Sequence, residues 1–473
     1  MKAQQNGSAL SRRELLKAGA LGGAALMTGR AMAQDAKATN PDTRPNVLLI
    51  ITDQQGLDTI SALGCSGLHT PNMDRLAKRG VSFMQSHSTN PLCSPARSSI
   101  FSSRPTQETG VIVNGLPIRE SVPNLGQWLG QNGYESVYVG KWHLPHSFTY
   151  DIKGFNVIPA GLGGQGTLGD GAISRAAEGY LLNRKREQPF FLVTSFLQPH
   201  DICQYVSMHM KAPDMLPYPE IARDLPPLPP NFTFDEREPN AIKVKRKHTW
   251  SEEQWRYYVW SYYRMVEEVD AEIGRVLDAL DLAAYTDDTI VVFTADHGEG
   301  RGRHQMVVKN YLYEEAEKVP LIVSNPGRMQ AGVRDETHLV SGLDVLPTVC
   351  DYCGVKPPDV VRGKSLRPIL EGKQTQWHEF VPAEVTVTGR MIRTPDYKYI
   401  MYQGDPVEQL FDMKHDPWET RNLAPESAHA DVLASHRKLL NEWEAKLDVA
   451  PIPEKIRKRI DRWKKNWSKN KKA

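Results

Sequence analysis

The sequence predicts an α/β protein: a large, mostly parallel sheet covered by helices on both faces, with a smaller C-terminal α+β domain. Three observations predict it. Unbroken apolar runs of strand length recur along the chain, helix signals alternate with them, and after about Val381 the texture changes to short β-like runs. A strand buried on both faces reads as a continuous apolar run because neither side meets water, whereas a half-wet antiparallel strand alternates. With 473 residues, 40% of them hydrophobic and 24% charged, the chain is long enough for a large core and an appended domain.

In chain order, Ser11-Arg12-Arg13-Glu14-Leu15-Leu16-Lys17, a Gly/Ala-rich weakly apolar run and Ala31-Met32-Ala33 resemble a twin-arginine export signal over residues 1–33. The mature chain is then expected to begin near Gln34, after handling by twin-arginine export machinery, and to work in the periplasm or outside the cell. Asn46-Val47-Leu48-Leu49-Ile50-Ile51 is the first buried strand, and Thr52-Asp53-Gln54-Gln55 stands at its C-terminal end, where parallel sheets present polar groups to ligands. Thr70-Pro71 opens a helix closed by Gly80, and Pro123 to Asn132 forms another closed by Gly133. Further strands follow at Glu135–Val139, Pro189–Phe196, Thr289–Thr294 and Val319–Val323. The proline-rich stretch from Pro213 to Pro239 is expected to wrap the surface, and Ser251-Glu252-Glu253-Gln254 begins a long helix with a capping box, reaching Leu282. The large domain is placed at 34–380, the C-terminal domain at 381–454, with a helix from about Ser427, and a basic tail at 455–473.

Net charge is +2, but the tail from Lys455 holds ten Lys/Arg against one Asp, so the rest of the chain is net negative and nucleic acid is not an expected partner. No stretch after the leader has the roughly 18 apolar residues of a membrane span. Of the five cysteines, Cys350 and Cys353 fall in one helix and are expected to be buried thiols or a local disulfide, since no second close Cys pair exists to complete a zinc site.

Two strand ends carry parallel chemistry: Asp53-Gln54 after the first strand and Asp296-His297 after Thr289–Ala295. Two carboxylates, an amide oxygen and an imidazole suit a divalent cation, oxygen donors favouring calcium or magnesium and the imidazole admitting manganese. Between them lies Cys93-Ser94-Pro95-Ala96-Arg97, with Gly140-Lys141-Trp142-His143-Leu144 and Asp296-His297-Gly298-Glu299 followed by Lys309 and Tyr313-Glu314-Glu315 further on. In pattern, order and spacing these segments resemble the motifs of the formylglycine-dependent sulfatases of the alkaline phosphatase-like superfamily, and Leu410–Pro417 resembles their C-terminal segment. The resemblance implies that a formylglycine-generating or sulfatase-maturing enzyme oxidises Cys93 to formylglycine, and that its hydrate attacks the sulfur of a sulfate ester and forms a covalent sulfo-enzyme. It implies Asp53, Gln54, Cys93, Asp296 and His297 around the metal, calcium first, and Arg97 orienting the hydrate. Lys141 and Lys309 would hold the sulfate oxygens, His200 would protonate the departing alcohol, and His143 would take the proton that regenerates the aldehyde. His304 is a candidate substrate contact, and Tyr150, Tyr205 and Trp142 are candidate walls of the approach.

One departure matters. Such sulfatases commonly carry two adjacent aspartates at the first metal motif, where this chain has Asp53-Gln54. The Asp-Gln and Asp-His combination also resembles phosphonate monoester and phosphodiester hydrolases that use the same formylglycine, and these are the second reading; a non-catalytic anion-binding protein is the third, should Cys93 stay unmodified. The expected substrate is a sulfated small molecule or glycan.

Overall fold

The structure is a computed structural model that describes residues 44–145, 151–160, 165–211, 219–246 and 248–458. The segment 1–33 expected to be an export signal, Tyr150 and most of the basic tail lie outside the described residues.

Fourteen strands are described: β1 (Asn46–Asp53), β2 (Gly80–Phe83), β3 (Ser86–His87), β4 (Glu135–Gly140), β5 (Asn156–Ile158), β6 (Phe190–Pro199), β7 (Thr289–Ala295), β8 (Leu321–Ser324), β9 (Val333–Asp335), β10 (Val340–Ser341), β11 (Val381–Val385), β12 (Gly389–Arg393), β13 (Tyr397–Tyr402) and β14 (Gln409–Asp412). Eight form one sheet in the order β5-β4-β6-β1-β7-β8-β2-β9. Its pairings are parallel except those of β8 with β7 and with β2. This is the mostly parallel sheet that the apolar runs predict.

The unbroken runs are apolar on both sides because both sides are covered. Leu48 and Ile50 of β1 join Val137, Leu192 and Phe293 in a core beneath the long helix Glu252–Leu282. Val47, Leu49 and Ile51 enter a second core on the other face with Tyr138, Phe191 and Val292. That second core also takes Cys350 and Cys353, free buried thiols on the helix Val345–Tyr352 and at its C-terminal cap. The long helix begins as expected, with Ser251 and Gln254 exchanging side-chain to backbone hydrogen bonds in a capping box.

The C-terminal strands form an antiparallel sheet, β11-β12-β13-β14. One of its faces packs on Met306, Tyr311, Leu312 and Tyr313, and the other carries the helix Ala430–Glu444. Among the described residues no helix is long and apolar enough to cross a membrane.

Two expectations are overturned by packing. Trp142 is 4% exposed, in ring contact with Phe101, Tyr138 and Phe155, and Tyr205 is 6% exposed against Tyr257 and Tyr258. Both bury their ring surface in the interior, so neither is a platform for a substrate ring.

Candidate active site

Register brings the strand ends together. Thr52 pairs with Ala295 across β1 and β7, Asp53 with Pro199 across β1 and β6, and Gly140 with Ser195 across β4 and β6. Asp53, Asp296, Lys141 and His200 therefore emerge at one edge, the place where parallel sheets bind ligands. Gly140 makes the last of these turns possible. It has φ +101°, and a Cβ there would lie 2.1 Å from the Ser195 carbonyl oxygen.

Cys93 is the first residue of the helix Cys93–Ser102, with Pro95 in the first turn, where its missing N–H is harmless. Its sulfur lies 3.2 Å from His297 Nε2 and 3.8 Å from Asp53 Oδ1. Ligand atoms of Asp53, Cys93, Asp296 and His297, all buried, lie within 4.8 Å of one another. His297 Nδ1 lies 2.9 Å from the carbonyl oxygen of Gly298. A proton on Nδ1, donated there, leaves the Nε2 lone pair facing the cluster, the tautomer a metal ligand needs. Two carboxylates, an imidazole lone pair and the oxygen that oxidation would place on residue 93 fit a divalent cation.

Arg97, fully buried, joins the carboxylates. Its Nε is 2.9 Å from Asp296 Oδ2, its Nη2 is 3.0 Å from Asp53 Oδ2, and its Nη1 donates to Ser195 Oγ at 2.7 Å and the Lys141 carbonyl oxygen at 2.9 Å. Lys141 Nζ lies 2.7 Å from the same Asp53 oxygen. Burial alone would push Asp53 up, but Lys141, His200 and Arg97 outweigh it and hold its carboxyl well below the usual range. Asp296 moves the other way, raised by burial and by the negative charge of Asp53 against His297 and Arg97. Burial and Asp53 push the Cys93 thiol up, yet Lys309, Lys141 and His297 overcome both and hold it well below its ordinary value. Three cations, Arg97, Lys141 and Lys309, stand around Asp53 and Asp296, which suits an anionic ester.

Gln54 sits beside the four donors. Its N–H donates to Asp296 Oδ1 at 3.0 Å, its amide oxygen accepts from Lys309 Nζ, and its amide nitrogen donates to Glu299. His200 stands at the rim, its side chain 29% exposed and its Nε2 4.0 Å from Asp53 Oδ1. His143 has a left-handed backbone (φ 64°), and its Nδ1 is buried without a hydrogen-bond partner. Its carbonyl oxygen accepts from Ser94 Oγ at 2.6 Å, which ties it to the turn of Cys93. The structure thus joins nine of the ten expected residues in one network of contacts and ties the tenth, His143, to it through its backbone.

His304, like Trp142 and Tyr205, is buried in the protein and is not a substrate contact. It is 1% exposed, with Nδ1 3.0 Å from Glu315 Oε1, Nε2 3.2 Å from the Glu419 carbonyl oxygen and its ring stacked on Tyr313. Its left-handed backbone (φ 49°) turns the ring into the protein. Residues given no role from the sequence also belong here: Ser195 on Arg97, Cys203 with Sγ 3.8 Å from Lys309 Nζ, and Glu299 on the Gln54 amide. Two of them left a signal: Ser195 as a polar residue near the end of a buried strand, and Glu299 as part of the Asp296-His297-Gly298-Glu299 motif.

Comparison with known proteins finds relatives over most of the chain. The family model Sulfatase matches residues 45–355, and the model N-sulphoglucosamine sulphohydrolase, C-terminal, matches residues 302–446. A Delta 4,5-hexuronate-2-O-sulfatase of Bacteroides thetaiotaomicron is 33% identical over 441 residues, covering 86% of this chain and 90% of that protein. An N-acetylglucosamine-6-O-sulfatase of the same organism is 26% identical, covering 84% and 86%. The solved structure of a phosphonate monoester hydrolase of Agrobacterium radiobacter superposes with a TM-score of 0.73 at 25% identity, over 85% of this chain and 96% of that one. The match of the Sulfatase model to most of the chain, and the likeness to a sulfatase across nearly all of it, show that this chain belongs to the sulfatase family of sulfuric ester hydrolases.

Proposed function

We propose that the protein removes sulfate from a carbohydrate outside the cytoplasm, with Cys93 carried as formylglycine after maturation and twin-arginine export. The observation that carries the reading is the position of Cys93, at a helix start within 4.8 Å of two carboxylates and an imidazole and faced by two ammonium groups. Relatives named for sulfated hexuronate and glucosamine support a sugar as substrate. Asp53, Gln54, Asp296 and His297 would hold a divalent cation beside residue 93, for which calcium is the first choice and manganese or magnesium the alternatives. When bound, the cation lowers the pKa of an oxygen it holds and stabilises charge on the sulfate; formylglycine supplies a hydrated aldehyde as nucleophile in place of the thiol.

The remaining work falls to side chains. Arg97 keeps Asp53 and Asp296 apart in fixed orientation, so the carboxylates need not reorganise as charge develops. Lys141 and Lys309 bind the sulfate oxygens as point charges. His143, with its buried Nδ1 unpartnered, accepts the proton released as the site resets, and His200 at the rim protonates the leaving oxygen.

Lys309→Ala is expected to raise the barrier by about 2–4 kcal/mol, the loss seen when one transition-state charge stabiliser is removed, read as kcat/KM on an aryl sulfate. An unchanged rate would remove Lys309 from the site. His200→Ala is expected to slow sugar sulfates far more than aryl sulfates, because a phenolate departs without full protonation and a sugar alkoxide does not. Equal losses on both would make His200 a binding group only.

A second reading, phosphonate monoester or phosphodiester hydrolysis, is favoured by Gln54, which removes one negative charge from the metal motif, and by the likeness to a phosphonate monoester hydrolase. Rates on matched aryl sulfate and aryl phosphodiester decide between them. Sulfate is expected to be faster, since its three free oxygens engage both lysines at once; a faster diester would transfer the assignment to the second reading.

A further inference from the structure

Glu299 is fully buried, and its hydrogen-bond donors are all neutral: the Gln54 amide on Oε2, and the Tyr258 hydroxyl and the Val308 N–H (2.6 Å) on Oε1. Among the described residues it has no ion-pair partner at contact distance. A buried carboxylate in such a setting is expensive unless its charge is compensated nearby. Compensation comes through Gln54, whose amide lies between the carboxylate and the Lys309 ammonium, donating to the first and accepting from the second. Because the amide nitrogen is committed to Glu299, the amide oxygen must face Lys309, and the flipped amide would set two donors against each other.

The same carboxylate holds the loop of Lys309. Val308 has φ 54° and Asn310 has φ 80°, so the residues on either side of the lysine are left-handed, and for a β-branched valine that conformation is a real outlier. Strain of this kind persists only where the surroundings enforce it. Here the Val308 N–H donates to Glu299 and to the Tyr258 hydroxyl (3.1 Å), and the Val308 carbonyl oxygen accepts from Gly300 at 2.8 Å. The Asn310 N–H donates to the Pro91 carbonyl oxygen at 3.0 Å, beside the Cys93 turn. Tyr262, one turn along the helix from Tyr258, donates to the Gln54 carbonyl oxygen at 2.6 Å and secures the strand end from beneath.

We propose that Glu299 is a positioning residue for sulfate recognition: by accepting the Gln54 amide and the Val308 N–H together, it fixes both the orientation of Gln54 and the strained loop that aims Lys309 at the anion. The inference depends on Lys309 binding the anion, as in the proposed function. It explains how the chain works with Gln where related enzymes commonly have Asp. The negative charge is kept one hydrogen bond further out, on Glu299.

The test is a double-mutant cycle with inorganic sulfate as probe, its dissociation constant measured by calorimetry and its inhibition constant on an aryl sulfate, with thermal unfolding as the control for folding. Glu299→Gln keeps size and removes the charge, and it is expected to weaken sulfate binding by roughly 10–100-fold, as loss of an orienting partner does. In a Lys309→Ala background the same substitution is expected to cost nothing more, because it acts through the lysine. Tyr258→Phe, a gentler change, is expected to shift sulfate binding in the same direction, again only when Lys309 is present, and it keeps the test open if Glu299→Gln does not fold. Wild-type sulfate affinity in folded Glu299→Gln, or losses that add in the cycle, would overturn the proposal. If Lys309→Ala alone leaves sulfate binding unchanged, what fails is the role of Lys309 in the proposed function, separately from the contact between Glu299 and its loop.

Discussion

Replacing Cys93 by alanine is expected to lower sulfate release by on the order of 10⁴-fold or more, the scale of loss when a covalent nucleophile is deleted. The site around it should persist, because Arg97 and Lys141 hold Asp53 and Asp296 by contacts that do not involve residue 93. Thermal unfolding of the variant should therefore stay near that of the wild type while turnover disappears. Mass analysis supplies an independent check: the peptide that contains residue 93 in active wild-type protein should be lighter by about 18 Da than the cysteine form, the change expected when a thiol side chain becomes an aldehyde. Full turnover by Cys93→Ala, or an intact thiol in fully active protein, would rule out the formylglycine assignment and leave the sulfatase family membership to be reconciled with another nucleophile.

The second large effect is on stability and lies away from the catalytic edge. Lys398 of β13 is fully buried, with Nζ 3.0 Å from Glu314 Oε1 and 2.8 Å from Glu419 Oε1. Glu317, also buried, has both carboxylate oxygens without a hydrogen-bond partner. The Lys398 ammonium thus joins Lys318 and His87, which also reach Glu314, in compensating a group of carboxylates where the C-terminal sheet meets the segment that follows Lys309. Lys398→Met keeps the length of the side chain and removes the charge, and it is expected to destabilise the fold by about 3–5 kcal/mol, the cost of stranding a buried partner. The effect should depend on pH with a definite sign. Glu419 is already pushed up to about 7, by burial and by Glu314 and Glu315 against Lys398. Without the ammonium the Glu317 and Glu419 carboxyls, both already raised by burial, rise further above their unfolded values, so the folded state holds more protons than the unfolded one. Stability is then lost as pH rises through that window. The deficit in urea midpoint should be larger at pH 8 than at pH 6. A deficit that is flat with pH would assign the loss to packing.

The legible part of this protein is local. Mostly apolar runs announced β1, β6 and β7 because burial on both faces leaves few positions for a polar residue, and the capping box at Ser251 announced the longest helix because it satisfies orphan backbone groups in place. Polar residues directly after those runs were readable as site residues, since parallel strands end on the same side. That Asp53 and Asp296 share one arginine has no signature in the motifs and follows from the register of β1 against β7, which brings the two strand ends together over Arg97.

Tertiary structure alone decided the rest. No local pattern distinguishes His304, turned inward by its left-handed backbone onto Tyr313, from a loop histidine that faces substrate, and none separates Trp142 in the aromatic core from a stacking platform. Neither the pairing of Lys398 with Glu314 and Glu419 nor the hold of Glu299 on Gln54 and Val308 has a sequence signature. Local order follows from propensities and periodicities within a few residues, whereas the direction of a loop side chain and the partner of a buried charge are set by which segments pack together in space, and that is fixed by the energy of the whole fold.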